Sequence, residues 1–383
     1  MARTGALFCY FNVAMPTKSN LELRQAAGQT LILGFGGTEP DTQLHATLDS
    51  LHPGGVVLFA RNIETPAQTW SLLYECQASS PLPMFLCVDM EGGSVDRMKK
   101  AIAPVPSARK VFATGDPRLF RAHGEIIGLE LRAMGFNTTF APVLDLGLEA
   151  SRPVLASRTA SADPKQVVRY AKEFLSGLKT AEVLGCGKHF PGLGAANLDS
   201  HKERPAVNRS WKKLWEEDLL PYRKLHKKLP LAMISHATYP SVTKDPVSAS
   251  LSKKWITSIL REKIGYQGLI VSDDLEMEGV LASGSIEEVS VETLRAGTDL
   301  FMISTMFSHD LGQVWRAYEA VVREAEKDRR FAARMTESAL KILKFKRRSQ
   351  ELNQTAAKPK VQAVKMLKKI IQEFSEIVEG AAA

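Results

Sequence analysis

No stretch of this chain approaches the roughly 18–20 consecutive apolar residues that a membrane-spanning helix needs, so no membrane span is expected. Cysteine is scarce: Cys9, Cys76, Cys87 and Cys186 are the only four in 383 residues, and none stands at metal-site spacing. Cys87 and Cys186 fall inside apolar, strand-like runs. Buried free thiols in a reducing, cytoplasmic compartment are therefore expected rather than a disulfide framework. Two catalytic signatures are also missing, the glycine-rich loop that cradles phosphates and the sharp Ser-centred elbow of many hydrolases. Gly34-Phe-Gly-Gly37 follows an apolar run but lacks the spacing of a dinucleotide fingerprint. The N-terminus loosely resembles an export signal, with Arg3 ahead of a mixed stretch from Gly5 to Met15. It contains Asn12, has one basic residue and lacks a small-x-small cleavage site, so export is not expected.

The formal net charge is +8, and much of the excess comes from Arg223–Lys228 and Lys344–Arg348. Phe345 is the single Phe, Tyr or Trp within either cluster, and neither is set in a nucleic-acid motif. Both read as solvated helix faces, and no nucleic-acid partner is expected.

From residue 29 onward, short β-branched runs alternate with helical periodicity. The strand candidates are Thr30–Gly34, Gly55–Phe59, Phe85–Val88, Asn137–Phe140, Val183–Gly187, Ala232–Ser235, Leu269–Ser272 and Leu300–Ile303. Helical patterns between them include Pro117–Met134, Lys165–Glu182, Trp211–Lys224 and Ile286–Ala296. Alternation of this kind predicts parallel strands joined by crossover helices. Eight strands favour an α/β fold with a single (β/α)8 barrel over an open doubly wound sheet. The predicted layout is an N-terminal extension over 1–24, a barrel over 25–345, and a tail over 346–383. In the tail a basic linker precedes an amphipathic helix with apolar residues from Val364 to Val378.

In such a barrel, functional groups emerge at the carboxyl ends of the strands. Here those ends lead into Arg61-Asn62, Asp89 and Glu91, Asp145, Lys188-His189, His236 and Asp273-Asp274. Carboxylates, histidines and cations at one end suit a polar substrate. Asp199, His201, His189 and His236 are metal-ligand types, but Asp199-Ser-His201 is a short loop pair rather than two ligands on a helix face. No metal and no organic cofactor is expected. Carboxylates beside a histidine suit acid–base and covalent chemistry at an anomeric carbon.

Three segments carry a resemblance. Val88-Asp-Met-Glu-Gly-Gly-Ser-Val-Asp-Arg97, Lys188-His-Phe-Pro-Gly-Leu-Gly-Ala-Ala-Asn-Leu-Asp-Ser-His201 and Ile270-Val-Ser-Asp-Asp-Leu-Glu-Met277 resemble glycoside hydrolase family 3, in its β-N-acetylglucosaminidase branch. The resemblance implies retaining removal of a terminal β-linked N-acetylhexosamine from N-acetylglucosaminides, with peptidoglycan-derived muropeptides as the source. It implies Asp273 as nucleophile, and His201 as the acid and base with Asp199 orienting it. It implies sugar contacts from Asp89, Arg97, Arg158, Lys188 and His189. His236 joins them by its place at the sixth strand end, and Asp274 is read as a structural acid.

Several positions depart from the family pattern. Leu193 stands where a histidine is usual, Ser94 where an arginine is usual, and Thr159-Ala-Ser follows Arg158 in place of an aromatic and a glycine. The last strand runs into Ser304-Thr305-Met306, so a changed sugar or aglycone preference is left open. Alternatives are a phosphorylase or β-glucosidase on the same fold and a silent sugar-binding barrel. The presence of Asp273, Asp199 and His201 together argues against the last of these. A monomer or homodimer is expected.

Overall fold

The computed structural model describes residues 21–196, 205–243 and 247–382. Eight parallel strands close into a barrel: β1 (Leu31–Gly34), β2 (Gly55–Leu58), β3 (Phe85–Val88), β4 (Thr138–Thr139), β5 (Leu184–Phe190), β6 (Leu231–Ile234), β7 (Leu269–Asp274) and β8 (Leu300–Ile303). Each pairs with its neighbours in the chain, and Leu31 opposite Phe301 closes the ring from β1 to β8.

The strands read as unbroken apolar runs because both their faces are covered, as parallel sheets require. Successive side chains point to opposite faces, and the buried residues divide accordingly. Ile32, Val57, Cys87, Cys186, Val271 and Met302 belong to a cluster that fills the barrel. Their neighbours Leu33, Val56, Val88, Ile270 and Ile303 belong to a second cluster, shared with the surrounding helices. Two strands run further than their apolar residues suggest. β5 continues through Lys188 and His189, and β7 through Asp273 and Asp274. Each shifts register against its next neighbour in these polar ends.

Helix starts carry the expected chemistry. Asp116 and Asp163 precede a first-turn proline, and their carboxylates accept from the exposed amides of Arg118, and of Lys165 and Gln166. The two helices that follow, Pro117–Ala133 and Pro164–Thr180, cross closely at Gly124 and Gly177. A methyl group on Gly124 would lie 2.0 Å from the Phe174 carbonyl oxygen, so only glycine fits.

The tail differs from the sequence expectation. The helix Arg329–Arg348 continues through residues read as the start of a linker. Lys346 is fully buried there, its Nζ 2.8 Å from Gln29 Oε1 and 5.5 Å from the Phe85 ring centre. Burial pushes its ammonium down to about 7. The final helix, Val361–Ala382, lays Leu367, Ile371, Phe374 and Val378 against the helices Ala108–Ala113 and Pro117–Ala133. No helix among the described residues is long and apolar enough to cross a membrane.

Candidate active site

Strand parity places the polar groups. Asp89 continues the inward set Phe85 and Cys87, Lys188 continues Leu184 and Cys186, and Asp273 continues Leu269 and Val271. All three act electrostatically on the Cys186 thiol, so they gather above the same interior layer. They come from β3, β5 and β7, the alternate strands that share a layer in this architecture.

An ion-pair ladder runs from this layer to the barrel wall. Lys188 Nζ lies 2.6 Å from Asp89 Oδ1 and 2.6 Å from Glu91 Oε1. Arg158 then grips Glu91 with both edges, Nε to Oε2 at 2.9 Å and Nη2 to Oε1 at 2.8 Å. Burial alone would raise the Glu91 carboxyl, but Arg158 and Lys188 outweigh it and hold it far below the ordinary range. Burial also works against the Lys188 ammonium, and Asp89 and Glu91 reverse the effect and raise it. Two anions thus balance two cations out of water. Asp89 keeps 20% side-chain exposure at the open end.

Glu91 reaches this position because Met90–Gly92 and Val95–Asp96 form a short antiparallel hairpin. Gly92, at φ 83°, turns it, and a side chain there would meet the Pro106 carbonyl at 2.3 Å. The sequence sets Glu91 only among the polar residues beyond β3, with no sugar contact expected of it, whereas it is the centre of the ladder.

Asp145 is a second residue whose part was not foreseen. Beyond β4, the chain keeps contact with β5 through a bridge between Val143 and Lys188, which sets Asp145 beside His189. His189 Nδ1 lies 2.6 Å from Asp145 Oδ2, and the other oxygen accepts from the Leu193 amide at 2.7 Å. One carboxylate therefore fixes both the imidazole and the loop that leaves β5. The carboxylate can only accept, so Nδ1 carries the hydrogen and Nε2 is left as the other ring nitrogen. Tyr239 adds a bond from its hydroxyl to the Gly192 carbonyl at 2.9 Å. The chain returns where the Val207 amide donates to Thr238 at 2.8 Å. Asp199 and His201 sit between these anchors and lie outside the described residues.

At β7 the two adjacent carboxylates have different surroundings. Asp274 is buried and accepts from the Ser304 amide (3.1 Å), the Glu276 amide (3.2 Å) and the Ser304 hydroxyl. Burial raises its carboxyl to about 7 despite the Ser304 hydroxyl. Asp273 is only half-buried, and one of its oxygens accepts from the Asp274 amide at 2.9 Å. His236 is fully buried, with Nδ1 2.7 Å from Ser250 Oγ and Nε2 2.9 Å from the Asp274 carbonyl. Through the Asp274 carbonyl, His236 braces the backbone next to Asp273. Arg97 lies 6.0 Å from the Phe59 ring, and its Nε has no hydrogen-bond partner among the described residues. Arg61 ties the rim together by donating to Phe35 O (3.1 Å), Ser304 O (2.9 Å) and Thr305 Oγ1 (3.1 Å). Among the described residues, no three of His, Cys, Asp and Glu are grouped so as to hold a metal ion.

Residues 21–345 match the glycosyl hydrolase family 3 N terminal domain. The chain belongs to glycosyl hydrolase family 3. Curated relatives of this family 3 chain include a beta-hexosaminidase of Bordetella avium, 37% identical over 262 residues, which are 66% of this chain and 74% of that one. A beta-hexosaminidase of Pseudomonas aeruginosa is 35% identical over 275 residues, 72% of this chain and 82% of that one. Among solved structures, a family 3 beta-N-acetylglucosaminidase from Paenibacillus sp. superposes with a TM-score of 0.83 at 29% identity, over 93% of this chain and 69% of that one. NagZ from Neisseria gonorrhoeae, in complex with N-trifluoroacetyl-D-glucosamine, does so with a TM-score of 0.72 at 25% identity, over 92% and 98%.

Proposed function

We propose that this family 3 barrel is an exo-acting β-N-acetylhexosaminidase that removes terminal β-linked N-acetylglucosamine with retention, using Asp273 as nucleophile. The observation that carries the reading is the contrast at the end of β7. Asp274 is locked into the wall by Ser304 and Glu276, whereas half-buried Asp273 shares the inward layer of Asp89 and Lys188. A nucleophile needs a reachable oxygen on a rigid base, and Asp273 has both.

In the proposed reaction, an Asp273 oxygen bonds to the anomeric carbon as the bond to the leaving oxygen breaks. The His201 imidazolium gives its proton to that oxygen. Neutral His201 then takes a proton from water, whose oxygen displaces Asp273, and two inversions leave the configuration unchanged. Asp199 orients the imidazole and stabilises its charged form. A histidine suits both steps because it titrates near neutrality. Asp89 accepts sugar hydroxyls, Lys188 fixes Asp89, and His189 offers Nε2. Arg97 and Arg158 supply cations at the rim, with Arg158 acting through Glu91. His236 is reassigned from a sugar contact to a positioning residue.

The beta-hexosaminidase relatives and the β-N-acetylglucosaminidase structures support the sugar class. A muropeptide aglycone rests on the motif resemblance, and a cytoplasmic setting on the buried free thiols Cys76, Cys87 and Cys186. The reading is tested with 4-nitrophenyl N-acetyl-β-glucosaminide and by trapping with a 2-acetamido-5-fluoro sugar before peptide mapping. A label on the peptide at Asp273, and loss of nitrophenol release in Asp273→Ala, are expected. A label on Asp274, or sugar 1-phosphate formed on adding phosphate, would overturn it.

A further inference from the structure

The two basic clusters of the sequence, far apart in the chain, meet at the opposite end of the barrel from Asp273. A cleft of about 1210 Å³ opens across the starts of β5, β6 and β7, bounded by the helices Pro164–Thr180 and Arg329–Arg348. Lys227 and Lys228 line it from the segment before β6, Lys344 and Arg348 from the last barrel helix, and Lys172 and Lys179 from the other side. With Lys341, seven lysines and arginines face two carboxylates, Glu337 and Glu351.

Part of this charge has an ordinary explanation, since helix carboxyl ends point this way and attract cations. Each such end carries about half a negative charge. Three of them offset little more than one cation, and the surplus remains. Glu337 is already 3.4 Å from Arg334, and Glu351 accepts from the Ser349 hydroxyl at 2.6 Å. Among the described residues, Lys179, Lys227, Lys228, Lys344 and Arg348 make no ion pair. Deeper in, one carboxylate, Asp299, serves three cations: Arg261, Lys341 at 3.3 Å and Arg334 at 3.5 Å. Burial, with Arg261 close by, draws the Lys341 ammonium down to about 8. The floor between the cations is apolar, made of Leu175, Val183, Leu229 and Leu340 with Phe345.

We propose that this cleft docks an extended acidic peptide segment of a partner protein in which apolar side chains are interspersed. The cationic rim answers its carboxylates, and the apolar floor takes the side chains between them. Single-stranded nucleic acid would need a series of stacking aromatics, and among the described residues the lining offers two rings, Phe345 and the His226 imidazole. Residues 1–20 hold Arg3 and Lys18 and no carboxylate, so the chain's own N-terminus does not fit. The cleft lies away from the sugar site, so docking leaves hydrolysis free, and the inference does not depend on the proposed reaction.

Fluorescence anisotropy of the full chain with a labelled twelve-residue peptide of alternating Glu and Leu tests the proposal. An all-Glu peptide and a twelve-residue oligothymidylate of similar charge serve as comparisons. Saturable binding is expected, weakening about tenfold between 50 and 300 mM salt because exposed pairs are screened. Replacing Lys227, Lys228 and Lys344 together by Glu should weaken it by about tenfold or more while 4-nitrophenyl glycoside hydrolysis is unchanged. If that variant is misfolded, the same three positions changed to Gln give the answer. Binding unaffected by these changes, equal affinity for the all-Glu peptide or the oligonucleotide, or no binding at about 100 µM would overturn the proposal.

Discussion

Glu91→Gln tests the ladder that supports the sugar site. Glu91 accepts both edges of Arg158 and shares Lys188 with Asp89, and all four are largely out of water. Glutamine keeps the shape and removes the charge. Lys188 retains Asp89, but Arg158 loses its carboxylate, and an uncompensated buried charge costs about 3–5 kcal/mol. At roughly 2 cal/mol/K of unfolding entropy per residue, this corresponds to a melting point about 4–6 °C lower for a chain of this length. The acid response gives the sign. The Glu91 carboxyl is depressed in the folded state, so its contribution is full above the ordinary carboxylate pKa of about 4.3 and is lost as pH falls below it. Wild type should therefore lose more stability than the variant between about pH 4.5 and 2.5. Urea unfolding followed by tryptophan fluorescence at several pH values measures both effects. The double variant Glu91→Gln with Arg158→Met removes the stranded charge and should recover at least half of the loss. A melting point within 1 °C of wild type, or parallel acid responses, would refute the ladder as a coupled buried unit.

The adjacent carboxylates of β7 should separate cleanly. Asp273→Asn should lower kcat at least about 10³-fold, whereas Asp274→Asn, which can keep the bonds to Ser304 and Glu276, should stay within about tenfold of wild type. Asp274 is raised to about 7, so the unfolded chain ionises first, and its contribution favours folding at acid pH and fades as pH climbs from about 4 to 7. The Asn variant should lack that decline, and pH-dependent denaturation would show it. His236→Ala, cutting the bonds to Ser250 and the Asp274 carbonyl, should lower kcat while leaving KM nearly unchanged; a mainly raised KM would return it to the sugar-contacting set. His201→Phe should keep activity on aryl glycosides with good leaving groups and lose far more on disaccharides, and equal loss on both would remove it as proton donor.

The strand runs were legible because a barrel covers both faces, and six of the eight ended within one residue of the expected positions. β5 and β7 ran past their apolar runs because hydrogen bonding continues where charged ends find partners across the mouth. Asp273, Lys188 and Asp89 were legible through motif and strand end together. The pairing of Glu91 with Arg158, and of Asp145 with His189, was not. Those contacts join residues 67 and 44 positions apart, and their geometry depends on a hairpin and on a bridge between Val143 and Lys188. His236 carries no local sign that both its nitrogens are engaged. Lys346 shows the same limit, because its charge read as solvent-facing until Gln29 and Phe85 enclosed it.

The shared parity of β3, β5 and β7 has a consequence for how this protein can change. A helix on the outside can gain or lose a residue and be re-seated by its flexible connections. A single residue inserted before Asp89, Lys188 or Asp273 in its own strand would swing that group half a turn, out among the helices, while each neighbour still paired. Descendants of this chain can vary in loop and shell, yet within those three short segments drift is limited to exchange of one side chain for another, never a slip in count.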